Sequence, residues 1–221
     1  MPANLDDFLA HAKSIDWYHA GPHNGLTDLM ETGMKEPRLQ TPGLPSIVDN
    51  IPRLGAFGAG INLASNPDDV KEYFQGSEPD KWDANKRAAL LTAKFTGRNP
   101  LVFASYKHGV ETPNFRETLL SGLDKEAEKV KQRVLSGEIE DHKGDYLLGK
   151  INWVQRGVEN DSPERIGQAA PYAGFDSYIT DNHQLRHVGK EDSLQAVVNQ
   201  PYAMRALKVR HGSLSEMFGQ Q

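Results

Sequence analysis

RAALLTAKFTGRNPLVFAS, residues 87–105, is the stretch that decides the architecture. Its first half is an apolar run with the length of a strand. Gly97–Pro100 then supplies a turn, and LVFAS reads as a second strand piece. Downstream, residues 114–157 read as helical, and DKEAEKVKQR within them reads as a solvated helix surface. Further on, GFDSYITD, QLRHVG and LQAVVN read as three strands joined by polar turns, and the tail from His211 as frayed. Upstream, residues 4–14 form a short amphipathic helix. Asn4 caps it, Asp6 and Asp7 lie in its first turn, and Leu5, Phe8, Leu9 and Ala12 share one face.

DWYHA (16–20) follows as a strand, and GPHNGLTDLMETG as a helix ending at Gly33. Residues 34–58, punctuated by Pro37, Pro42, Gly43, Pro45, Pro52, Gly55 and Gly58, read as a long exposed loop. AGINLAS (59–65) returns to strand. NPDDVKEYFQG is a helix, with Asn66 as cap and Pro67 at the first position. Strands thus dominate both ends and helices fill the middle. The pattern predicts an α+β fold with a strongly bent or split sheet, and not a wound parallel one.

The 221 residues suffice for one substantial domain, read here as spanning 1–221. With 38% hydrophobic and 25% charged residues the composition is globular. A net charge of −5 with scattered Lys and Arg gives no indication of a nucleic-acid surface, without excluding one. The absence of cysteine removes disulfides, thiolate nucleophiles and cysteine-type zinc sites. The opening MPANLDDFLAHAKSI carries acids where a signal peptide needs a basic region and an apolar core, and no apolar run is long enough to span a bilayer. A cytoplasmic setting with no membrane partner is the expectation.

Several chemistries lack their motifs. There is no G-x-x-x-x-G-K-[ST], no H-E-x-x-H and no G-x-S-x-G, and GAFGAG runs into a strand instead of opening a helix. The eight histidines are dispersed, so no metal site is expected.

Five segments occur in an order that resembles the ADP-ribosyltransferase superfamily. They are WYHAG (17–21), GAGINLASNPDDVKEYF (58–74), LLTAKFTGRNPLVFAS (90–105), YAGFDSYI (172–179) and LQAVVNQPYAMRAL (194–207). The likeness is to the His-Tyr-Glu-like branch, among its phage, mobile-element and effector-type members. It leaves 106–170 as a helical insertion. The resemblance implies a split β-sheet core with NAD in the cleft between its halves. It implies NAD-dependent mono-ADP-ribosyl transfer to a macromolecular target, a protein first, with delivery into a host cell as a toxin-like effector among the possible settings.

The resemblance also assigns residues. His19 matches the histidine that hydrogen-bonds the adenosine ribose, and Gly21 the glycine whose backbone holds the nicotinamide carboxamide. Asn62 stands where the family has a stacking tyrosine, and Tyr73 matches its second one. Gln195 stands where most relatives have the catalytic glutamate, in the closing strand. An amide keeps that carboxylate's hydrogen bond to the ribose but not its charge. His19 and Gln195 are expected across one cleft on adjacent central strands. Two alternatives stand beside transfer: NAD glycohydrolysis, in which water replaces the target, and a nucleotide- or protein-binding module without chemistry. Glu191 and Asp192, close to Gln195, read as turn residues that could supply charge if the register differs.

Overall fold

In the computed structural model, residues 4–21, 40–41, 44–45, 60–70, 87–105, 107–181 and 193–218 are described. Helix α1 (Leu5–Ser14) begins as the sequence indicates: Asn4 Oδ1 accepts the Asp7 amide at 2.9 Å. Strands follow at β1 (Trp17–Gly21), β2 (Gln40–Thr41), β3 (Leu44–Pro45), β4 (Ile61–Ala64), β5 (Arg87–Phe95), β6 (Pro100–Ala104) and β7 (Val110–Glu111). Next come helices α2 (Phe115–Leu135), α3 (Asp141–Glu159) and α4 (Pro163–Ala169). Strands β8 (Ser177–Asp181), β9 (Leu194–Val198) and β10 (Met204–Ser213) and helix α5 (Leu214–Phe218) complete the order.

Eight strands form one mixed sheet in the order β10-β5-β1-β4-β9-β8-β6-β7. Every neighbouring pair is antiparallel except β6 and β8, whose parallel pairing requires the crossover that α2–α4 provide. The α+β reading holds. The sheet is continuous, however, and its two halves meet at a narrow seam between β1 and β4.

Two cores explain the layering. On one face α1 lays Phe8 and Ala12 against Trp17, Leu91, Ala93, Val102, Ile179 and Ala196. The Trp17 indole N–H is satisfied by the Ala12 carbonyl at 2.8 Å. On the other face α2–α4 pack Leu119, Leu123, Ile151 and Val154 onto Leu101, Phe103, Tyr178 and Val197. A smaller cluster on that second face joins Ala64, Val70 and Leu90 to Tyr18 and to Met217 and Phe218 of α5. Among the described residues no helix is long and apolar enough to cross a membrane.

The structure corrects four expectations. Residues 114–157 are two helices. The first ends where Gly137 adopts φ +74, a conformation that favours glycine, and Ile139 turns inward before α3 starts. DKEAEKVKQR is largely solvated as expected, but Glu126 and Val130 face inward. The tail is not frayed at His211: β10 pairs with β5 as far as Ser213 and leads into α5. LQAVVNQPYAMRAL is two strands, because Pro201–Ala203 form a 3-10 turn that carries the chain from the middle of the sheet to its edge. Of the loop 34–58, the described part is the β2–β3 pair, so it is not wholly irregular. The helix ending at Gly33, the strand QLRHVG, Tyr73, Glu191 and Asp192 lie outside the described residues.

Candidate functional site

The seam between β1 and β4 brings two of the candidate residues together. β1 is laddered to β5 along its whole length, Trp17↔Ala93 through Gly21↔Ala89. β4 is laddered to β9 from Ile61↔Val198 to Ala64↔Gln195. Between them stands the single pair Tyr18↔Ala64. The seam is therefore the weakest line in the central sheet, where backbone pairing stops and side chains take over.

His19 crosses that line. Its Nδ1 lies 2.7 Å from the carbonyl oxygen of Asn62. A carbonyl only accepts, so Nδ1 carries the proton and the neutral ring presents Nε2 as an acceptor. Burial pushes the His19 pKa below its ordinary 6.5, and the bond to Asn62 opposes this only in part. A neutral imidazole with a defined tautomer can accept a hydroxyl proton at Nε2. Asn62 serves this contact through its main chain, so an amide in place of an aromatic ring leaves it intact. Gly21 ends β1 opposite Ala89, two residues beyond His19.

A depressed histidine pKa has a testable sign. Below about 6.5 the unfolded chain binds a proton that folded His19 resists, so stability falls as pH drops from 6.5 through the lower folded value. His19→Gln is expected to flatten that part of the stability-versus-pH curve. Thermal unfolding of both proteins across the window checks it, together with an NMR titration in which His19 titrates below 6.5. Identical slopes would mean that another group sets the acid dependence.

Gln195 is not where the expectation placed it. β4 lies between β1 and β9, so the two strands are not adjacent. The faces differ as well. Paired residues of neighbouring antiparallel strands share a face, and successive residues alternate. Tyr18, Ala64, Gln195 and Thr180 therefore form one row on the α2–α5 face. His19 points to the α1 face, with Leu91 opposite it. Gln195 is also buried, at 6% exposure. LQAVVN holds a strand as its residues indicate, but strand order and face parity are tertiary properties that no local spacing encodes.

Two acids that were not among the candidate residues, Asp176 and Asp69, hold the neighbouring segments. Asp176, buried at 2% exposure, accepts the amides of Arg98 (2.7 Å) and Asn99 (2.9 Å) on one carboxylate oxygen, and the Ser177 hydroxyl (2.7 Å) on the other. The Asn99 side chain returns a bond to the Gly174 carbonyl at 3.0 Å. GRNP and GFDS are thus two sides of one clasp. Asp69, likewise buried, accepts the Ser193 hydroxyl, while Ser65 exchanges bonds with Leu194, amide to carbonyl at 2.9 Å and hydroxyl from amide at 2.8 Å. This fixes the SNPDD turn to the start of β9. For Asp176 the readable signal was an Asp beside a serine at the start of a strand, and for Asp69 an acid in the first turn of a helix capped by Asn66.

No family model, no curated protein and no solved structure matches the chain.

Proposed function

We propose that the protein is an NAD-dependent mono-ADP-ribosyltransferase whose dinucleotide lies at the β1–β4 seam. The observation that supports this most is His19 itself. It is a neutral, tautomer-fixed imidazole at the one line where the sheet's two halves are barely laddered, with Gly21 just beyond it. Its Nε2 would accept from a ribose hydroxyl, and the Gly21 backbone would hold the carboxamide. In the reaction the bond between ribose C1′ and the nicotinamide nitrogen breaks, and its electron pair leaves with nicotinamide. A nucleophile of the target, taken to be a protein side chain, then bonds to C1′ and gives up its proton. The protein's part is orientation and electrostatic support.

A second reading has its own observation in favour. Gln195 is buried, faces away from His19 and carries no charge, which suits a nucleotide-binding module without catalysis. The test is nicotinamide release from NAD by the wild type and two variants. If Gln195 orients the ribose, Gln195→Ala lowers release at least about tenfold, on the order of 1.4 kcal/mol in the barrier, and Gln195→Glu retains or raises it. NAD binding with no release supports the module. Release as free ADP-ribose, without labelling of any macromolecule, identifies a glycohydrolase. No binding of NAD at all would sink both readings.

A further inference from the structure

The sheet's outer edge carries an arrangement that the proposed NAD chemistry does not use. Along β10, Arg205 lies opposite Lys94, Lys208 opposite Thr92 and Arg210 opposite Leu90. Simple alternation would send Arg205 and Lys208, three apart in sequence, to opposite faces. A bulge at Leu207 prevents this: the register slips by one between Ala206 and Lys208. Ala206 and Val209 face the α1 core, and the three cations share the other face. They stand at intervals of two paired positions, about 7 Å each.

All three are exposed, and none has an ion-pair partner among the described residues. Lys94, beside Arg205, is paired with Asp16 at 2.8 Å. At the Met204 end of the same edge, Tyr202 is 47% exposed with the Arg98 guanidinium 5.0 Å from its ring centre. A strip of three like charges in a chain of net charge −5 is a local departure from the whole. Charges on an edge strand also deter strand-to-strand aggregation, but that role is served from either face. Placing them on one face at even spacing is what a chain of phosphates requires.

We propose that the β10 edge binds single-stranded nucleic acid, with Arg205, Lys208 and Arg210 contacting successive phosphates and Tyr202 offering a ring for a base to stack on. The contact is sequence-tolerant and falls with salt. It is independent of the NAD reading, so either can fail alone.

The experiment uses the full chain and labelled oligo(dT) and oligo(dA), read by fluorescence anisotropy over a salt series. The wild type is expected to bind both, with log affinity falling linearly in log salt. The triple variant Arg205→Gln, Lys208→Gln, Arg210→Gln is expected to bind at least about tenfold more weakly, with a slope reduced by about 2. Tyr202→Ala is expected to weaken binding about fivefold or more without changing the slope. Arg205→Lys with Arg210→Lys, which keeps charge, retains the slope, and Lys125→Gln with Lys131→Gln on α2 changes neither quantity. Circular dichroism establishes that each variant is folded. Unaltered binding by the triple variant overturns the proposal. So does a wild type that ignores both oligonucleotides at low salt, or one that binds anionic phospholipid vesicles in their place.

Discussion

Asp176→Ala is expected to lower the melting temperature by roughly 6–16 °C, the shift that about 3–4 kcal/mol produces in a domain of this size. The carboxylate accepts two main-chain amides, of Arg98 and Asn99, and the Ser177 hydroxyl in a place that water does not reach. Hydrogen bonds to a charged acceptor are worth more than neutral ones, and alanine leaves buried donors behind as well. Asp176→Asn supplies the control. Its remaining carbonyl oxygen can still accept both amides, and its NH2 can turn to the Ser177 oxygen. About half of the loss should therefore return. The effect should also be local: the β6–β8 end loosens first, seen as faster amide exchange at Leu101 and Tyr178 than at Leu91. If Asp176→Ala melts within about a degree of the wild type, the clasp contributes little and the turn is held by its flanking strands.

Gly60→Ala is expected to cost about 3 kcal/mol or more, and to do so at the seam. Gly60 sits at φ +144, and an added Cβ would run into the main-chain carbonyl of Val198. A flexible side chain could step aside, but the backbone of a central strand cannot. β4 must then move off β9, and since Ile61 pairs with Val198, Asn62 moves too. The His19 Nδ1 proton should lose its hydrogen-bonded NMR signature, and NAD affinity should fall with it if the seam holds the dinucleotide. A variant with wild-type melting and an unchanged Nδ1 resonance would show that β4 tolerates displacement at this point.

What the sequence disclosed and what it hid divide along a physical line. Asn4 and Asn66 cap their helices as local rules require, and Asn66 Oδ1 accepts the Asp68 amide at 3.0 Å. The strand–turn–strand reading of 87–105 survives because Gly97–Pro100 interrupts both periodicities. The break at Gly137 was missed because one glycine in a charged helical pattern is tolerated as often as it terminates. β10 was missed because its outward residues are charged and its bulge spoils the alternation that marks a strand. Of the site, His19 and Asn62 were singled out separately as candidate residues, and the bond between the His19 ring and the Asn62 main chain became visible only in the fold. The facing of Gln195 was not legible, because it depends on β4 entering between β1 and β9, an event decided by contacts far apart in the chain. Asp176 was visible as part of a motif, but its role as an acceptor for two amides 77 and 78 residues away required the fold.

The position of β9 has a consequence for how the protein is made. The strand sits between β4 and β8, yet it leaves the ribosome long after β4 and only after residues 182–193 have followed β8. Until residues 194–198 arrive, both future neighbours present unpaired amides and carbonyls, and β4 does so for the whole time that 65–193 are being synthesised. At the usual rates of elongation that is on the order of ten seconds. A nascent chain with the β4 border open for that long, joined by the β8 border while 182–193 are made, is a client for holdase chaperones and a candidate for mispairing with its neighbours on a polysome. Slowing translation within 182–193 should lower the soluble yield, and slowing it after 198 should not.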